Sequence, residues 1–293
     1  MTIVCATHFT DSSFLAVKVA AQLARKHRQP LWLVNVLQGA VVSSNGDRFE
    51  SAASDALLLE AAALKSEGIE VQTAVLHGAL ERAVGQFCTD KQALLLVVGD
   101  TSHKISPLIA GTLDKLAYGI EIPVLVVRDP KPFDAWAQGK APLKVMLALD
   151  HTWSSAVARD WIVRLAEYGA LDLVAAHIWW PQEEYERRGL PVPPAEEGHA
   201  ALAAKMLAET SGALNGLPAN VKHRVHLEMG KGHVGEQLVA MAENELVDIF
   251  VLGTHPHRGP LGQLWSVSHE VLANAPMSVA PARGEAAGMT IDD

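Results

Sequence analysis

The amino-acid sequence contains the same pattern twice, and this internal repeat limits the possible fold more than any other feature. In the first copy, an apolar segment ending in Gly99 leads through a polar loop to Thr112 and then to the apolar segment 123–127. In the second copy, Gly253 and Ser266 occupy the places of Gly99 and Thr112, each 154 residues later. A repeat of this length indicates a duplicated domain rather than a solenoid unit, because each copy is large enough to bury its own core.

The composition is typical of two globular domains without a membrane span. Of the 293 residues, 49% are hydrophobic and 19% are charged, which is ample apolar material for two cores. No apolar run reaches the roughly 18–20 residues that cross a bilayer, and the first residues lack the basic region of a secretory signal. We therefore expect a cytoplasmic protein. The net charge of −9 disfavours binding to nucleic acid or to an anionic membrane.

Short apolar segments alternate with amphipathic helical segments in both copies. Near-continuous apolar strands separated by helices are typical of a parallel sheet covered on both faces. The sequence therefore predicts an α/β protein with two tandem, doubly wound, five-stranded parallel-sheet domains. The predicted strands are 3–7, 31–37, 70–76, 94–98 and 123–127 in the first copy, and 144–149, 172–177, 221–228, 249–252 and 277–280 in the second.

The domain boundaries follow from a segment between the copies that is rich in proline and glycine. We expect domain 1 at residues 1–129, a linker at 130–142, domain 2 at 143–284 and a C-terminal tail at 285–293. A second proline-rich segment, 179–195, interrupts the parallel between the copies. Its aromatic residues either pack on their own domain or line an apolar pocket beside the second strand of domain 2.

The cysteines and the serines after the first strands have structural interpretations. Cys5 and Cys88 lie in apolar segments without the spacing of metal ligands, which predicts buried core residues. Ser12-Ser13 and Ser154-Ser155 are predicted to cap helices rather than to act as nucleophiles. Because the sequence contains neither a nucleophile elbow nor a Walker motif, we expect no enzymatic activity.

Several motifs carry a resemblance to a known family. The first strand of domain 2 ends in Asp150 and the second ends in His177-Ile178. The closing segments are Pro123-Val-Leu-Val-Val-Arg128 and Ser266-Val-Ser-His-Glu-Val-Leu-Ala-Asn-Ala-Pro276. Each half resembles a universal stress protein domain, so the chain resembles a tandem universal stress protein over almost its whole length. The resemblance implies an adenine nucleotide alpha hydrolase-like fold.

The resemblance also implies a nucleotide site with ATP as the candidate ligand. In the nucleotide-binding branch of the family, a Gly-x2-Gly-x9-Gly-Ser/Thr loop wraps the triphosphate, since glycines let backbone amides approach phosphate. An Asp after the first strand meets the adenosine, and the expected crevice lies at the carboxyl ends of the first and fourth strands. The candidate residues are Asp150, Ile178, Leu252, Gly253, Arg258, Ser266 and Val267 in domain 2, and Val36, Gly99, Gly111 and Thr112 in domain 1.

Both loops depart from the family pattern. In domain 1, His8 stands at the Asp position, Ser102 replaces the middle glycine, and Asp100 places a negative charge beside the expected phosphate. In domain 2, Pro256 replaces the middle glycine and removes an amide donor, while Trp265 replaces the last glycine. We expect domain 1 to bind ATP poorly and domain 2 to be the better candidate. The alternative is that both loops are ordinary turns into the following helix.

Histidines in the second loop have two further interpretations. His255 and His257 could join Arg258 in donating to phosphate. They could also form a metal site with His151 or His269. No cysteine joins them, and solvated loop histidines are the commoner case.

The closing strands predict how the domains associate. An edge strand exposes unpaired backbone groups unless something covers it, and the resemblance implies that these strands pair two domains. We expect domain 1 to dock on domain 2 through Val124–Val127 and Val279–Ala282, which makes the chain an internal pseudo-dimer. Pro281 would restrict this pairing. A homodimer of the whole chain is a further expectation.

Two functions remain open from the sequence. The first is a non-catalytic stress-response protein with degenerate nucleotide-binding loops, which binds a partner or a small ligand. The second is an ATP-binding switch with the nucleotide held by domain 2, and slow ATP hydrolysis is compatible with it. The missing loop glycines favour the first. A nucleotide-dependent ligase or hydrolase on a related fold is a weaker hypothesis, since no group of residues supplies its chemistry.

Overall fold

The fold is built on one continuous sheet that runs through both halves of the chain. The computed structural model describes residues 2–38, 46–100, 113, 115–117, 119–150, 153–193, 196–254 and 267–283. The strands in this part of the chain are β1 (Thr2–Ala6), β2 (Leu31–Leu37), β3 (Val71–His77), β4 (Ala93–Gly99), β5 (Val124–Val127), β6 (Leu143–Ala148), β7 (Leu171–Trp179), β8 (Val221–Met229), β9 (Ile249–Gly253) and β10 (Ser278–Ala282). They lie in the order β3-β2-β1-β4-β5-β10-β9-β6-β7-β8.

Each half of this sheet consists of five parallel strands. β1 to β5 pair in the order 3-2-1-4-5, and β6 to β10 repeat that order. The predicted α/β fold with two tandem doubly wound domains is therefore confirmed. The direction of winding reverses between β1 and β4 and between β6 and β9, and parallel sheets form ligand crevices at the carboxyl ends of such strands.

Helices cover both faces of the sheet. Those described are α1 (Asp11–His27), α2 (Gly46–Ser66), α3 (Leu80–Asp90), α4 (Lys131–Ala137), α5 (Trp153–Ala166), α6 (Pro181–Arg187), α7 (Ala200–Ala213), α8 (Val234–Asn244) and α9 (Val267–Asn274). Helices α1, α2, α4 and α5 pack on one face, and α3, α8 and α9 on the other. Each core continues from domain 1 into domain 2, and Cys5 and Cys88 are buried in these cores, as predicted. None of the helices described is long and apolar enough to cross a membrane.

The two half-sheets join through their closing strands. β5 and β10 are antiparallel, with Val126 opposite Val279. Pro281 lies in β10 opposite Leu252 of β9. The predicted docking of domain 1 on domain 2 through these strands is confirmed, and the strands that would form sheet edges in separate domains lie at the centre of the molecule.

A buried arginine reinforces this junction. Arg128 directly follows β5, and its Nε donates a hydrogen bond of 2.6 Å to Asp100 Oδ2, with both side chains at most 4% exposed. The rest of its guanidinium donates to the carbonyls of Leu272, in the last turn of α9, and of Ala275 and Met277, which follow α9 in domain 2. Carbonyls at a helix C-terminus lack helical partners and carry partial negative charge. The Asp100 carboxylate, expected to oppose a phosphate, is therefore balanced by Arg128.

The segment between the copies contains a packed helix. Phe133 and Trp136 of α4 are 1% and 2% exposed. The Trp136 Nε1 donates to the Ala170 carbonyl at 2.9 Å, its ring lies against Gly169, and the Lys26 ammonium stands 5.2 Å from the ring centre. Helix α4 therefore contacts both α1 of domain 1 and the turn after α5 of domain 2.

The described part of the proline-rich segment, residues 179–193, packs on its own domain. It contains α6, and its Trp179 and Tyr185 form a small apolar cluster with Leu202 and Met206 of α7. Of the two interpretations offered by the sequence, these contacts support packing rather than an open apolar pocket.

Glu60, on α2 of domain 1, has a carboxyl group whose two oxygens are both buried. Neither oxygen has a hydrogen-bond partner among the described residues, and burial raises the pKa of Glu60 from 4.5 to about 7. As the pH rises from the unfolded to the folded pKa, the unfolded state loses its proton first, so stability falls across this window. We expect Glu60→Gln to remove this loss and to be more stable than the wild type at pH 8 by about 1–3 kcal/mol, since the side chain is partly solvated.

Urea unfolding at pH 4.5 and pH 8 measures this effect. The exposed Glu243 supplies the control, because Glu243→Gln replaces no buried carboxyl group and should change the unfolding free energy by less than about 0.5 kcal/mol. A pH-independent difference between Glu60→Gln and the wild type would show that Glu60 has an ordinary pKa.

Candidate functional site

A cavity of about 330 Å³ opens in domain 2 at the carboxyl ends of β6 and β7. Its volume is at the low end of the range for pockets that hold small ligands. We call it the domain-2 cavity. Its lining consists of Leu149 and Asp150 after β6, His177 on β7, Arg187 and Arg188 at the end of α6, and Glu209, Thr210 and Ala213 of α7.

Asp150 is held in place at this cavity by the first turn of α5. Its backbone N–H donates to Ser155 Oγ at 2.9 Å, and the Ser155 hydroxyl donates to the Asp150 carboxylate. In domain 1, Ser13 makes a related contact, since its Oγ accepts from the Thr10 N–H at 2.9 Å. Ser13 takes part in capping α1 as the third helical residue of a capping box, but the N-cap itself is Thr10 and not one of the predicted serines.

Ion pairs form one wall of the domain-2 cavity. Arg188 donates two hydrogen bonds to the Glu209 carboxylate, at 3.1 and 2.6 Å, and a third to Glu184 at 3.2 Å. Arg187 donates to Glu184 at 2.7 Å. Burial alone would raise the pKa of Glu184, but the hydrogen bonds from Arg187 and Arg188 outweigh it and hold the pKa below its usual value. Glu184 therefore stays ionised at neutral pH, and the bidentate pairing of Arg188 with Glu209 fixes the geometry of the wall.

The two strand-end glycines make close contacts with helices. A Cβ atom on Gly253 would lie 2.1 Å from the Ser154 carbonyl oxygen, and one on Gly99 would lie 2.3 Å from that of Ser12. Both distances are far below van der Waals contact. A glycine is therefore required at each position for the first turn of α5 or α1 to approach the sheet, whether or not phosphate binds nearby.

Among the described residues, the other predicted site residues do not meet at the cavity. The Ile178, Leu252 and Val267 side chains pack in the core on the opposite face of the sheet, as does Val36 in domain 1. Arg258, Ser266, Gly111 and Thr112 lie outside the described residues. Of the predicted site residues that the structure describes, Asp150 is the one that lines the cavity.

The sequence reasoning missed the charged wall and His177. Side chains alternate between the two faces of a strand, so Ile178 lies on the face opposite that of His177 and the cavity. The spacing of three and four residues from Glu184 to Arg187 and Arg188 is typical of helical ion pairs. This spacing was the sequence feature from which part of the charged wall could have been predicted. Of the histidines considered for a metal site, His151, His255 and His257 lie outside the described residues, and the described part of the chain has no cluster of three metal-binding side chains.

Domain 1 differs in chemistry at the corresponding place. The strand registers put His8 and Asn35 where domain 2 has Asp150 and His177. Asn35 Nδ2 donates to the Thr7 carbonyl at 2.8 Å, and the His8 ring nitrogen lies 3.0 Å from the Thr10 hydroxyl. Domain 1 therefore has no carboxylate at the position that Asp150 occupies.

Comparisons with known proteins agree with the duplicated architecture. The model of the universal stress protein family matches residues 1–128 and again 143–283. A universal stress protein from Mycolicibacterium smegmatis is 26% identical over 284 residues, which is 92% of each chain. A universal stress protein structure from Archaeoglobus fulgidus covers 97% of this chain and 96% of its own, with a TM-score of 0.71 and 14% identity. A functionally unknown protein from Pseudomonas aeruginosa covers 97% and 92%, with a TM-score of 0.62 and 18% identity.

Proposed function

Because the chain belongs to the universal stress protein family, we propose that it is a non-catalytic stress-response protein whose ligand site is the domain-2 cavity. The observation that carries this proposal is the position of Asp150, which lines the cavity and is oriented by Ser155. Domain 1 has His8 at the same place and acts as the structural half. We propose domain bounds of 1–129 and 143–284, with 130–142 between them and a tail at 285–293.

The chemistry of the cavity favours a small polar ligand over ATP. Pockets for flat organic ligands are mostly apolar with few polar groups, whereas six of the eight residues that line this cavity are charged or polar. Gly253 contacts α5, so its lack of a side chain is not an argument for phosphate binding. The role of Arg258, Ser266 and Val267 as nucleotide contacts remains a prediction.

One observation favours the second candidate, an ATP-binding switch. Asp150 lies after β6, next to the reversal in strand order between β6 and β9, where sheets of this kind hold ligands. On this alternative, adenosine would occupy the domain-2 cavity, and a partner protein would recognise the nucleotide-bound loop.

A thermal-shift screen separates the two functions. We expect a polar small molecule to raise the melting temperature of the wild type and of His8→Ala, but not of Asp150→Ala. We expect ATP with Mg²⁺ to give no heat of binding in calorimetry up to about 1 mM.

Three outcomes would contradict this proposal. Micromolar ATP affinity that falls about tenfold or more in Asp150→Ala, but not in His8→Ala, would establish the switch instead. Steady release of ADP from ATP would show an enzyme. A ligand shift lost in His8→Ala and kept in Asp150→Ala would place the site in domain 1.

A further inference from the structure

The carboxyl group of Glu60 is buried in domain 1 without a hydrogen-bond partner among the described residues. Burying an ionised carboxylate without a cation or hydrogen-bond donors is unfavourable, so a native protein that keeps such a group has a reason to do so. Binding sites are the usual reason, because a group that is left unsatisfied in the free protein is satisfied by the ligand. Glu60 is therefore a candidate binding group in domain 1.

The internal repeat pairs Glu60 with a residue of the domain-2 cavity. Helices α2 and α7 each bury a row of three residues at a spacing of four, with every member at most 6% exposed. The rows are Ala53, Leu57 and Ala61 in α2, and Leu202, Met206 and Thr210 in α7. Each residue of the second row lies 149 positions after its counterpart, and the same offset pairs Glu60 with Glu209. Glu60 therefore has the place on α2 that Glu209, in the lining of the domain-2 cavity, has on α7.

The effect of Glu60 on Cys5 locates its carboxyl group near the end of a strand. Burial raises the pKa of the Cys5 thiol, and the negative charge of Glu60 raises it further. Cys5 is the last residue but one of β1, and β1 is one of the two strands between which the winding of domain 1 reverses. Parallel sheets hold ligands at the carboxyl ends of such strands. Glu60 therefore lies near the edge of the domain-1 sheet where a ligand is expected.

Domain 2 shows which chemistry satisfies a carboxylate at this place. Glu209 accepts two hydrogen bonds from the Arg188 guanidinium, at 3.1 and 2.6 Å. This planar, bidentate pairing is the one that a guanidinium group makes best. Arg188 lies between β7 and α7, whereas residues 38–45, between β2 and α2, contain no Lys or Arg. Domain 2 thus supplies a guanidinium from its own chain, and the corresponding segment of domain 1 does not.

We propose that Glu60 binds the guanidinium group of a small molecule at the carboxyl end of β1. The ligand supplies to α2 the cation that Arg188 supplies to α7. A small molecule fits this role better than an arginine on a folded partner protein, because both Glu60 oxygens are buried. The proposal does not depend on the ligand of domain 2.

Calorimetry with methylguanidinium tests this site in the full chain. The titration is done at pH 8, where Glu60, with a pKa of about 7, is ionised. We expect a dissociation constant on the order of 1 mM, and at least about tenfold weaker binding of methylurea, which has the same shape without the charge. An absence of binding up to about 20 mM methylguanidinium, or equal binding of methylurea, overturns the proposal.

Two carboxylates on the same helix provide the matched variants. Glu60→Gln keeps the shape of the side chain and is expected to be stable at pH 8, and it should weaken methylguanidinium binding about tenfold or more. Asp55→Asn, which changes an exposed residue of α2, should leave the affinity unchanged. Equal affinities of Glu60→Gln and the wild type, or an equal loss in both variants, contradict the proposal. So does binding that is lost in Asp150→Ala and kept in Glu60→Gln, because the guanidinium would then lie in domain 2.

The titration of Glu60 itself gives a direct readout. A bound guanidinium stabilises the ionised carboxylate, so saturating methylguanidinium should lower the pKa of Glu60 in a carbon NMR titration. An unchanged pKa would show that the cation binds elsewhere.

A comparison of free and peptide-borne guanidinium groups tests the kind of ligand. We expect agmatine to bind at least as tightly as methylguanidinium, and an acetylated Gly-Arg-Gly amide to bind more weakly than either. Tighter binding of the peptide would assign the site to an arginine of a partner protein and overturn the small-molecule proposal.

Discussion

Arg128→Met is expected to lower the free energy of unfolding by about 3–5 kcal/mol, the largest effect of any single substitution considered for this chain. Methionine keeps much of the side-chain volume but leaves the Asp100 carboxylate buried without its cation. It also removes the donors that Arg128 supplies to carbonyls in and after the last turn of α9. Urea unfolding followed by far-UV circular dichroism measures the loss.

Two comparisons show whether burial and charge cause this loss. Arg25→Met removes the ion pair between Arg25 and Glu67, whose N···O distance of 2.5 Å is similar to that of the Arg128–Asp100 pair. The Arg25 side chain is 51% exposed, so this substitution should lower the free energy of unfolding by less than about 1 kcal/mol. In an Arg128→Met background, Asp100→Asn should recover part of the lost stability, because the buried carboxylate is then neutral. If Arg25→Met and Arg128→Met cost the same, the interdomain pair has no special role.

Gly253→Ala is expected to destabilise the protein by about 3 kcal/mol, at or above the upper end for overpacking. The added methyl group would lie 2.1 Å from the Ser154 carbonyl oxygen and 2.3 Å from its carbonyl carbon. These are backbone atoms of the first turn of α5, so no side-chain rotation relieves the clash. The strain would also move Ser155 and with it Asp150, so the ligand affinity of domain 2 should fall in the same variant. Thermal and urea unfolding measure the first effect, and calorimetry the second.

Gly212→Ala provides the opposite control for Gly253→Ala. Gly212 lies in α7 with no atom within 4 Å of an added Cβ, so alanine should stabilise the chain by about 0.5–1 kcal/mol through helix propensity. Gly99→Ala in domain 1 should destabilise the protein much as Gly253→Ala does, since its contact with Ser12 is equivalent. A tolerated Gly253→Ala would contradict the steric account and restore phosphate binding as the reason for this glycine.

The architecture was predictable because it is encoded by local patterns repeated along the chain. Apolar runs such as 94–98 and 249–252 are short, nearly uninterrupted and followed by loops, which specifies buried parallel strands without any knowledge of distant contacts. The closing-strand junction was also predictable, though only through the family resemblance. The composition of residues 130–142 was less informative. Their prolines and glycine predicted a linker, but residues 131–137 form a helix whose Phe133 and Trp136 side chains are buried.

Of the candidate site, only the residue at the end of a strand, Asp150, was predicted from the sequence. Asp150 was predicted through the family resemblance, which places an Asp after the first strand, and the structure places it in the lining of the domain-2 cavity. The wall beside it was not predicted, because the Arg188 and Glu209 pair joins two helices, and the sequence does not show how those helices cross. The same holds for Arg128, whose carbonyl partners are about 150 residues away in the other domain. Long-range side-chain pairs depend on packing that no local pattern encodes.

Covalent connection of the two halves makes their association independent of protein concentration. The β5–β10 contact is intramolecular, so its effective concentration is on the order of millimolar and unaffected by dilution. At the β5–β10 contact, each half therefore always meets the other half of the same chain. A substitution in one half therefore appears once at the junction, whereas in a homodimer it would appear twice. Asp100 stands where the other half has Thr254, and such unequal pairs allow the two halves to evolve separate roles while remaining matched to each other.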